Sequence, residues 1–195
     1  MVNSSKKCRT MHLRQIAPRL LSLQRSESFV HQNEAVEAQQ LSDDPANFFT
    51  QILGFKPTNY QQKLIQLFQN NQFVAARWCR QSGKSHTIAA LLLWYAYKHP
   101  QSNIGIVAPS LRQAKLIIRK IANFTRKLPI GTAHKPLKKQ IQLTNGSVIE
   151  AFPNNPETIR GPTLNVVYAD EFNFIANDTE MYDAILFTLG ATNGK

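Results

Sequence analysis

Cys79-Arg80-Gln81-Ser82-Gly83-Lys84-Ser85 is entered from the apolar run Phe73 to Ala76 and leads into a long apolar helical stretch, Thr87 to Tyr97. Strand, tight turn and helix in this order aim successive backbone N–H groups and the positive end of the helix dipole at one point, as in a phosphate-binding loop. Lys84 then reaches the β- and γ-phosphates of a nucleotide, and the Ser85 hydroxyl is placed to sit on Mg²⁺. The pattern G-x-x-x-x-G-K-[ST] is incomplete, since Trp78 holds the place of its first glycine. A helix N-terminus with a fortuitous Gly-Lys-Ser is therefore the competing reading until a second nucleotide element is found.

That element is Val166-Val167-Tyr168-Ala169-Asp170-Glu171, an apolar strand ending in two adjacent carboxylates. Side chains alternate along a strand, so two acids at its tip can take two different tasks. Asp170 is placed to hold the Mg²⁺ shell opposite Ser85, and Glu171 to polarise the water that attacks the γ-phosphate. Taken alone, the pair also reads as a turn acid and an N-cap acid ahead of Phe172 to Ile175.

At this point the chain resembles the large terminase subunits of tailed double-stranded DNA viruses, a family of DNA-packaging motors. The resemblance rests on Arg80-Gln81-x-Gly83-Lys84-Ser85, on Ile159-Arg160-Gly161-Pro162 ahead of the Asp-Glu pair, and on Tyr60-Gln61 upstream. It covers about residues 45 to 195. In that family the loop often lacks its first glycine and carries Arg-Gln in the middle, so Trp78 is an expected departure. The fold implied is α/β: a P-loop NTPase of the RecA-like (ASCE) type, with a mainly parallel sheet covered by helices on both faces.

The resemblance also implies roles. ATP and Mg²⁺ are the cofactors, with Gln61, Arg80, Gln81, Ser82, Gly83, Lys84 and Ser85 binding nucleotide and Ser85 with Asp170 holding the metal. Glu171 and Arg80 are the catalytic pair, Arg80 being a guanidinium supplied in cis to the γ-phosphate. Gln61 corresponds to the glutamine that reads the adenine edge, with Gln62 one register away, at the start of a helix Gln61 to Phe68. The stretch Ile104 to Gln113 reads as a core strand with a loop into a helix Leu111 to Lys127; Ser110, Arg112 and Gln113 are either DNA contacts or capping residues. The implied partners are double-stranded DNA, portal, small terminase subunit and further copies of the chain in a ring.

Composition agrees with an acidic partner. The 195 residues are 43% apolar, enough for one sizeable core, and the formal net charge is +11. Lys6 to Arg25 contains no acid, and Lys115 to Lys139 adds Arg119, Lys120, Arg126, Lys127, Lys135 and Lys138. The second cluster is a DNA-facing surface or a solvated helix face, since Ile117, Ile118 and Ile121 supply a buried side. Residues 1–44 read as a flexible basic arm, with an organelle transit peptide as the alternative. No apolar run reaches membrane-spanning length and no secretory signal appears, so a soluble protein of the host cytoplasm is expected. Cys8 and Cys79 form no metal spacing, and Cys79 is a small turn residue or an oxidisable thiol. The five histidines, His12, His31, His86, His99 and His134, carry no assigned role.

The ATPase domain is expected over residues 45–195, opening with Asp44-Pro45 as N-cap and first helical residue, and Phe48, Phe49, Ile52 and Leu53 on one side of the helix. Gln140 to Leu143 and Ser147 to Ala151 flank Asn145-Gly146, a two-residue hairpin signal. By the resemblance, Leu189 to Lys195 approaches the strand that carries the coupling motif, and the family's nuclease domain lies beyond it. The domain is therefore expected to be truncated before that strand, leaving unpaired strand edges at about 1–3 kcal/mol for each unsatisfied buried group. A superfamily 2 helicase-like ATPase fragment and a non-enzymatic remnant that binds DNA or partner subunits are the two alternative functions; Arg80-Gln81 speaks against the first.

Overall fold

The structure, a computed structural model, describes residues 43–79 and 81–195. Of the expected basic arm only Asp43 and Asp44 fall within the described residues; Arg80 falls outside them. The described chain forms one unit, Ser42–Lys195.

Its opening follows the capping chemistry. Asp44 Oδ1 accepts the Ala46 N–H at 3.0 Å and Pro45 begins α1 (Pro45–Asn47). The chain continues as a π-helical turn, Phe48–Ile52, that buries Phe48 and Phe49. Then come α2 (Asn59–Asn70), α3 (Lys84–Lys98), β1 (Asn103–Val107), α4 (Leu111–Thr125), β2 (Gln140–Gln142), β3 (Val148–Ala151), α5 (Pro156–Arg160), β4 (Val166–Ala169) and α6 (Asp178–Gly190). α2 and α3 thus extend beyond the apolar stretches that mark them in the sequence, because capping and polar residues continue the helices past their buried faces.

The sheet order is β2-β3-β1-β4, with β1 parallel to both β3 and β4 and only the β2–β3 hairpin antiparallel. Alternation along the strands sorts the two faces. Ile104, Ile106, Ile149, Ala151 and Val166 join one core with α3 and α4, while Val107 joins a second with Ile159, Met181, Ala184 and Leu189 from α5 and α6. Helices therefore cover both faces, as a mainly parallel sheet requires. α3 buries side chains around most of its circumference, Leu91, Leu92, Leu93 and Trp94 in succession, which explains its unbroken apolar sequence.

Two local expectations are corrected. Phe73 to Ala76 is not a strand: the segment makes no ladder, and Phe73 is 56% exposed and Val74 36% exposed. Beside β4 the ladder position is taken by Lys195, whose C=O accepts Val167 N–H at 2.7 Å and whose N–H donates to Asn165 O at 2.8 Å. Among the described residues no strand lies between β4 and Phe73, so that run has nothing to pair with; its backbone stays open to solvent instead of becoming a buried edge. The hairpin is also longer than two residues. Leu143 and Ser147 pair across Thr144, Asn145 and Gly146, and only Gly146 takes positive φ, giving a three-residue turn with glycine in the left-handed position. Asn145 instead ties the turn to the end of α3, its Nδ2 donating to Ala96 O at 2.8 Å and Tyr97 O at 3.2 Å.

Candidate active site

The C-terminal ends of β1 and β4 and the N-terminus of α3 meet at one edge of the sheet, where open parallel sheets place their sites. Val107 and Ala169 are register partners, and Asp170 N–H donates to Val107 O at 2.8 Å, extending the ladder by one step. The loop after β1 and the Asp170-Glu171 pair are therefore forced to be neighbours.

The loop ahead of α3 is shaped by two left-handed residues, Gln81 at φ 61° and Gly83 at φ 81°. Gly83 is the N-cap of α3, and its C=O accepts the N–H groups of His86 and Thr87. A side chain there would meet strain and also Gln61, whose Nε2 lies 3.0 Å from where a Cβ would stand. The loop is pinned from outside: Tyr60 Oη donates to Ser82 O at 2.9 Å, Ser82 Oγ donates to Cys79 O at 2.8 Å, and Tyr60 meets Trp78 edge to face. Tyr60, Trp78, Cys79 and Ser82 line an open cavity against the loop. Lys84 and Ser85 are the first two residues of α3, and helix geometry leaves their N–H groups without intrahelical acceptors.

The loop and the acidic strand come together. Lys84 Nζ lies 3.1 Å from Asp170 Oδ1, and Tyr168 Oη donates to the same oxygen at 2.7 Å. Burial raises the Tyr168 phenol well above its ordinary pKa, reinforced by its hydrogen bond to Asp170, so it serves as a donor only. Glu171 holds a left-handed backbone, φ 50° and ψ 42°, a conformation that costs a non-glycine residue about 1–2 kcal/mol. Its Oε2 accepts from Gln113 Nε2 at 3.0 Å.

Other candidates have different surroundings. Gln61 is buried, and its Oε1 accepts Thr58 N–H at 2.8 Å, one half of a capping box at the start of α2. Gln62, the other register, reaches Pro57 O at 3.4 Å. Ser110 caps α4, taking Gln113 N–H at 3.3 Å, while Arg112 is exposed. Arg160 pairs with Glu157 one turn before it, and Pro162 O accepts the Thr188 hydroxyl, so Ile159 to Pro162 is packed against α6 and is not gathered to the acids. The sequence reading overlooked Tyr168 and the Gln113 to Glu171 bond. It also overlooked the T-x-x-Q pattern at residues 58–61, a capping-box signature that was legible beforehand.

The donor set suits magnesium. Ser85 offers a hydroxyl and Asp170 a carboxylate, both hard oxygen ligands, and among the described residues Asp170 Oδ2 makes no hydrogen bond or ion pair. No group of three or more His, Cys, Asp or Glu side chains able to hold a metal occurs among the described residues. Two such oxygen ligands could serve a cation that keeps its waters and binds substrate phosphates.

Comparison with known proteins bears on this arrangement in two ways. The ATPase domain of the large terminase of Thermus phage P74-26 superposes with a TM-score of 0.64 at 23% identity, covering 77% of this chain and 67% of that one. A point mutant of the same domain superposes with a TM-score of 0.67 at 22% identity, with the same coverage. At these identities the likeness establishes the fold, including the parallel sheet and its helical layers. A family model, described as terminase large subunit, T4likevirus-type, N-terminal, matches residues 78–191, from Trp78 through Asp170 and Glu171 to just past the end of α6. Because that match spans more than half of the chain, this protein belongs to the terminase large subunit family, in its N-terminal region.

Proposed function

We propose that this chain binds ATP with Mg²⁺ at the loop 79–85 and hydrolyses it with Asp170 and Glu171, as the ATPase region of a motor that moves double-stranded DNA into a viral procapsid. The observation that carries this reading is the 3.1 Å approach of Lys84 Nζ to Asp170 Oδ1, which joins two motifs far apart in sequence into one site.

In the mechanism, the N–H groups at the start of α3 and the Lys84 ammonium receive the phosphates, Lys84 leaving Asp170 for the more strongly charged partner. Ser85 and Asp170 would hold the magnesium, which would supply positive charge to the phosphoryl group being transferred. Glu171 orients the attacking water through its carboxylate and accepts its proton. Arg80, by its place in the sequence, adds a guanidinium at the γ-phosphate. Gln61, whose Nε2 lies beside Gly83, is assigned to the adenine edge of the nucleotide.

The DNA-facing surface is proposed on α4. Arg112 and Arg119 lie on its exposed side and the exposed Arg126 is its C-cap, Ile117, Ile118 and Ile121 point into the core, and no acid occurs between residues 45 and 149. Portal, small subunit and further copies of the chain in a ring are the partners proposed with it. Among the described residues no helix is long and apolar enough to cross a membrane.

Thermal unfolding with and without Mg²⁺ and a non-hydrolysable ATP analogue tests the site. Ligand at 100 times its Kd raises stability by about 2.7 kcal/mol. A shift in the wild type that disappears in Lys84→Ala supports the reading; an equal shift in both variants, or none in either, refutes it.

A further inference from the structure

Charge is sorted along this chain: residues 45–149 contain no acid, and residues 161–194 contain no Lys, Arg or His. The fold turns that asymmetry into two separate surfaces. α6 buries Met181, Ala184, Ile185 and Leu189 in the core under β1 and β4 and turns Glu180, Tyr182, Asp183 and Phe187 outward. Tyr182 is 51% and Phe187 71% exposed, and helical spacing puts Asp183 between them. Among the described residues neither Glu180 nor Asp183 has an ion pair. Two open aromatic rings around a free acid are more than a solvated helix face requires.

The complementary surface lies across the sheet. Ala133 bridges Leu143 on the outer side of the β2–β3 hairpin, and the chain returns to β2 through Lys135-Pro136-Leu137-Lys138-Lys139. Leu137 N–H donates to Gln140 O at 3.0 Å and Ala151 N–H to Lys139 O at 2.9 Å, so the segment is held in place. Lys139 pairs with Glu150, while among the described residues Lys135 and Lys138 have no ion pair. Leu137, between these two lysines, is 62% exposed, and an open leucine suits a protein surface better than a phosphate backbone. β2 and β4 are the two edge strands. About 14 Å of sheet therefore separates the two surfaces, and one molecule cannot join its own pair.

We propose that the exposed face of α6 receives the Lys135–Lys139 segment of a second copy of this chain. Leu137 packs on Tyr182 and Phe187, while the lysine stems cover the rings and their ammonium groups reach Glu180 and Asp183. The apolar side chains supply the affinity; the charges set register and exclude the reverse pairing, since exposed ion pairs contribute little by themselves. Because its two halves differ, the contact is heterologous: each copy keeps one half free for the next, which makes a ring if the rotation closes. This rests on the association of copies proposed above, to which it assigns two faces, and is independent of hydrolysis.

The test is sedimentation velocity of the full chain over a concentration series at low and high salt. The wild type is expected to associate, and less tightly at high salt. Reversing α6 (Glu180→Lys with Asp183→Lys) or the segment (Lys135→Glu with Lys138→Glu) should each weaken association at least about tenfold. Mixing the two variants, or combining all four substitutions in one chain, should restore it, because opposite charges then face each other again. Phe187→Ala should weaken association by about tenfold while leaving its salt dependence unchanged. Melting curves control for folding, and restoration on mixing shows independently that both reversed chains are intact. Wild-type association that neither reversal changes, or that mixing fails to restore, overturns the two faces while leaving association of copies standing. Loss of duplex DNA binding in Lys135→Glu with Lys138→Glu, with self-association unchanged, gives the lysines to DNA and overturns the faces as well. A wild type that stays monomeric at every concentration overturns the association of copies, and this inference with it.

Discussion

Replacing Tyr168 by Phe isolates the bond between the phenol and Asp170. The ring stays, so no cavity opens, and only the 2.7 Å hydrogen bond to Oδ1 is lost. A hydrogen bond to a charged group contributes about 1.5–3 kcal/mol. The lower end applies here, because the Asp170 side chain keeps 15% of its surface exposed and Lys84 Nζ still lies 3.1 Å from the same oxygen. A loss of about 1.5 kcal/mol corresponds to a fall in Tm of about 3–6 °C for a chain of this size. Urea and thermal unfolding of wild type, Tyr168→Phe, Asp170→Ala and the double variant form a cycle. The pair should be coupled, with Tyr168→Phe nearly silent once Asp170 is gone. Additive losses would falsify the argument, as would an unchanged Tm in the single variant.

Three further outcomes are expected. Gly83→Ala forces a left-handed alanine at about 1–2 kcal/mol and sets a Cβ against Gln61 Nε2, so it should lower Tm and abolish the nucleotide-dependent shift; an unaltered Tm contradicts the loop geometry. Asn145→Ala removes the donors to Ala96 O and Tyr97 O and the acceptor for Ser147 N–H, and should cost about 1–3 kcal/mol in urea unfolding, whereas Asn145→Asp keeps the last of these and should not fully mimic it. His86 packs between the rings of Phe55 and Phe124, and burial, then Lys120 and Lys127, hold its pKa below the ordinary imidazole value. The unfolded chain therefore binds the proton first, so stability is full above about pH 6.5 and is lost as pH falls below it. His99, lowered by burial, Lys98 and Lys195, acts in the same direction. His86→Phe should flatten part of this slope in Tm measured between about pH 8 and pH 5, and a wild-type Tm that is level over that range speaks against it.

Much of the site was legible because its chemistry is local in sequence. Gly83-Lys84-Ser85 at a helix start and two acids at a strand end each follow from short-range geometry, and β1, β3, β4 and the helix caps at Asp44 and Ser110 came from periodicity and capping signals. Phe73 to Ala76 was misread because an apolar run becomes a strand only when a neighbour offers hydrogen bonds, and pairing is not a property of the run. Gln61 illustrates a different limit. Its amide can serve a base or a backbone N–H, and only the structure shows that its Oε1 takes the Thr58 N–H while its Nε2 lies beside Gly83.

The α/β class, the Gly83-Lys84-Ser85 and Asp170-Glu171 motifs and the acid-free stretch from residue 45 to 149 could be read from the chain alone, since these depend on residue identity and spacing. The tertiary structure decided which side chains meet. The order β3-β1-β4 brings the end of β1 beside the end of β4, and only that crossover sets Gln113 against Glu171 and Lys84 with Tyr168 on one oxygen of Asp170. Contacts of this kind are fixed by strand order and register, which arise from burying both faces of a sheet at once and are written in no single segment.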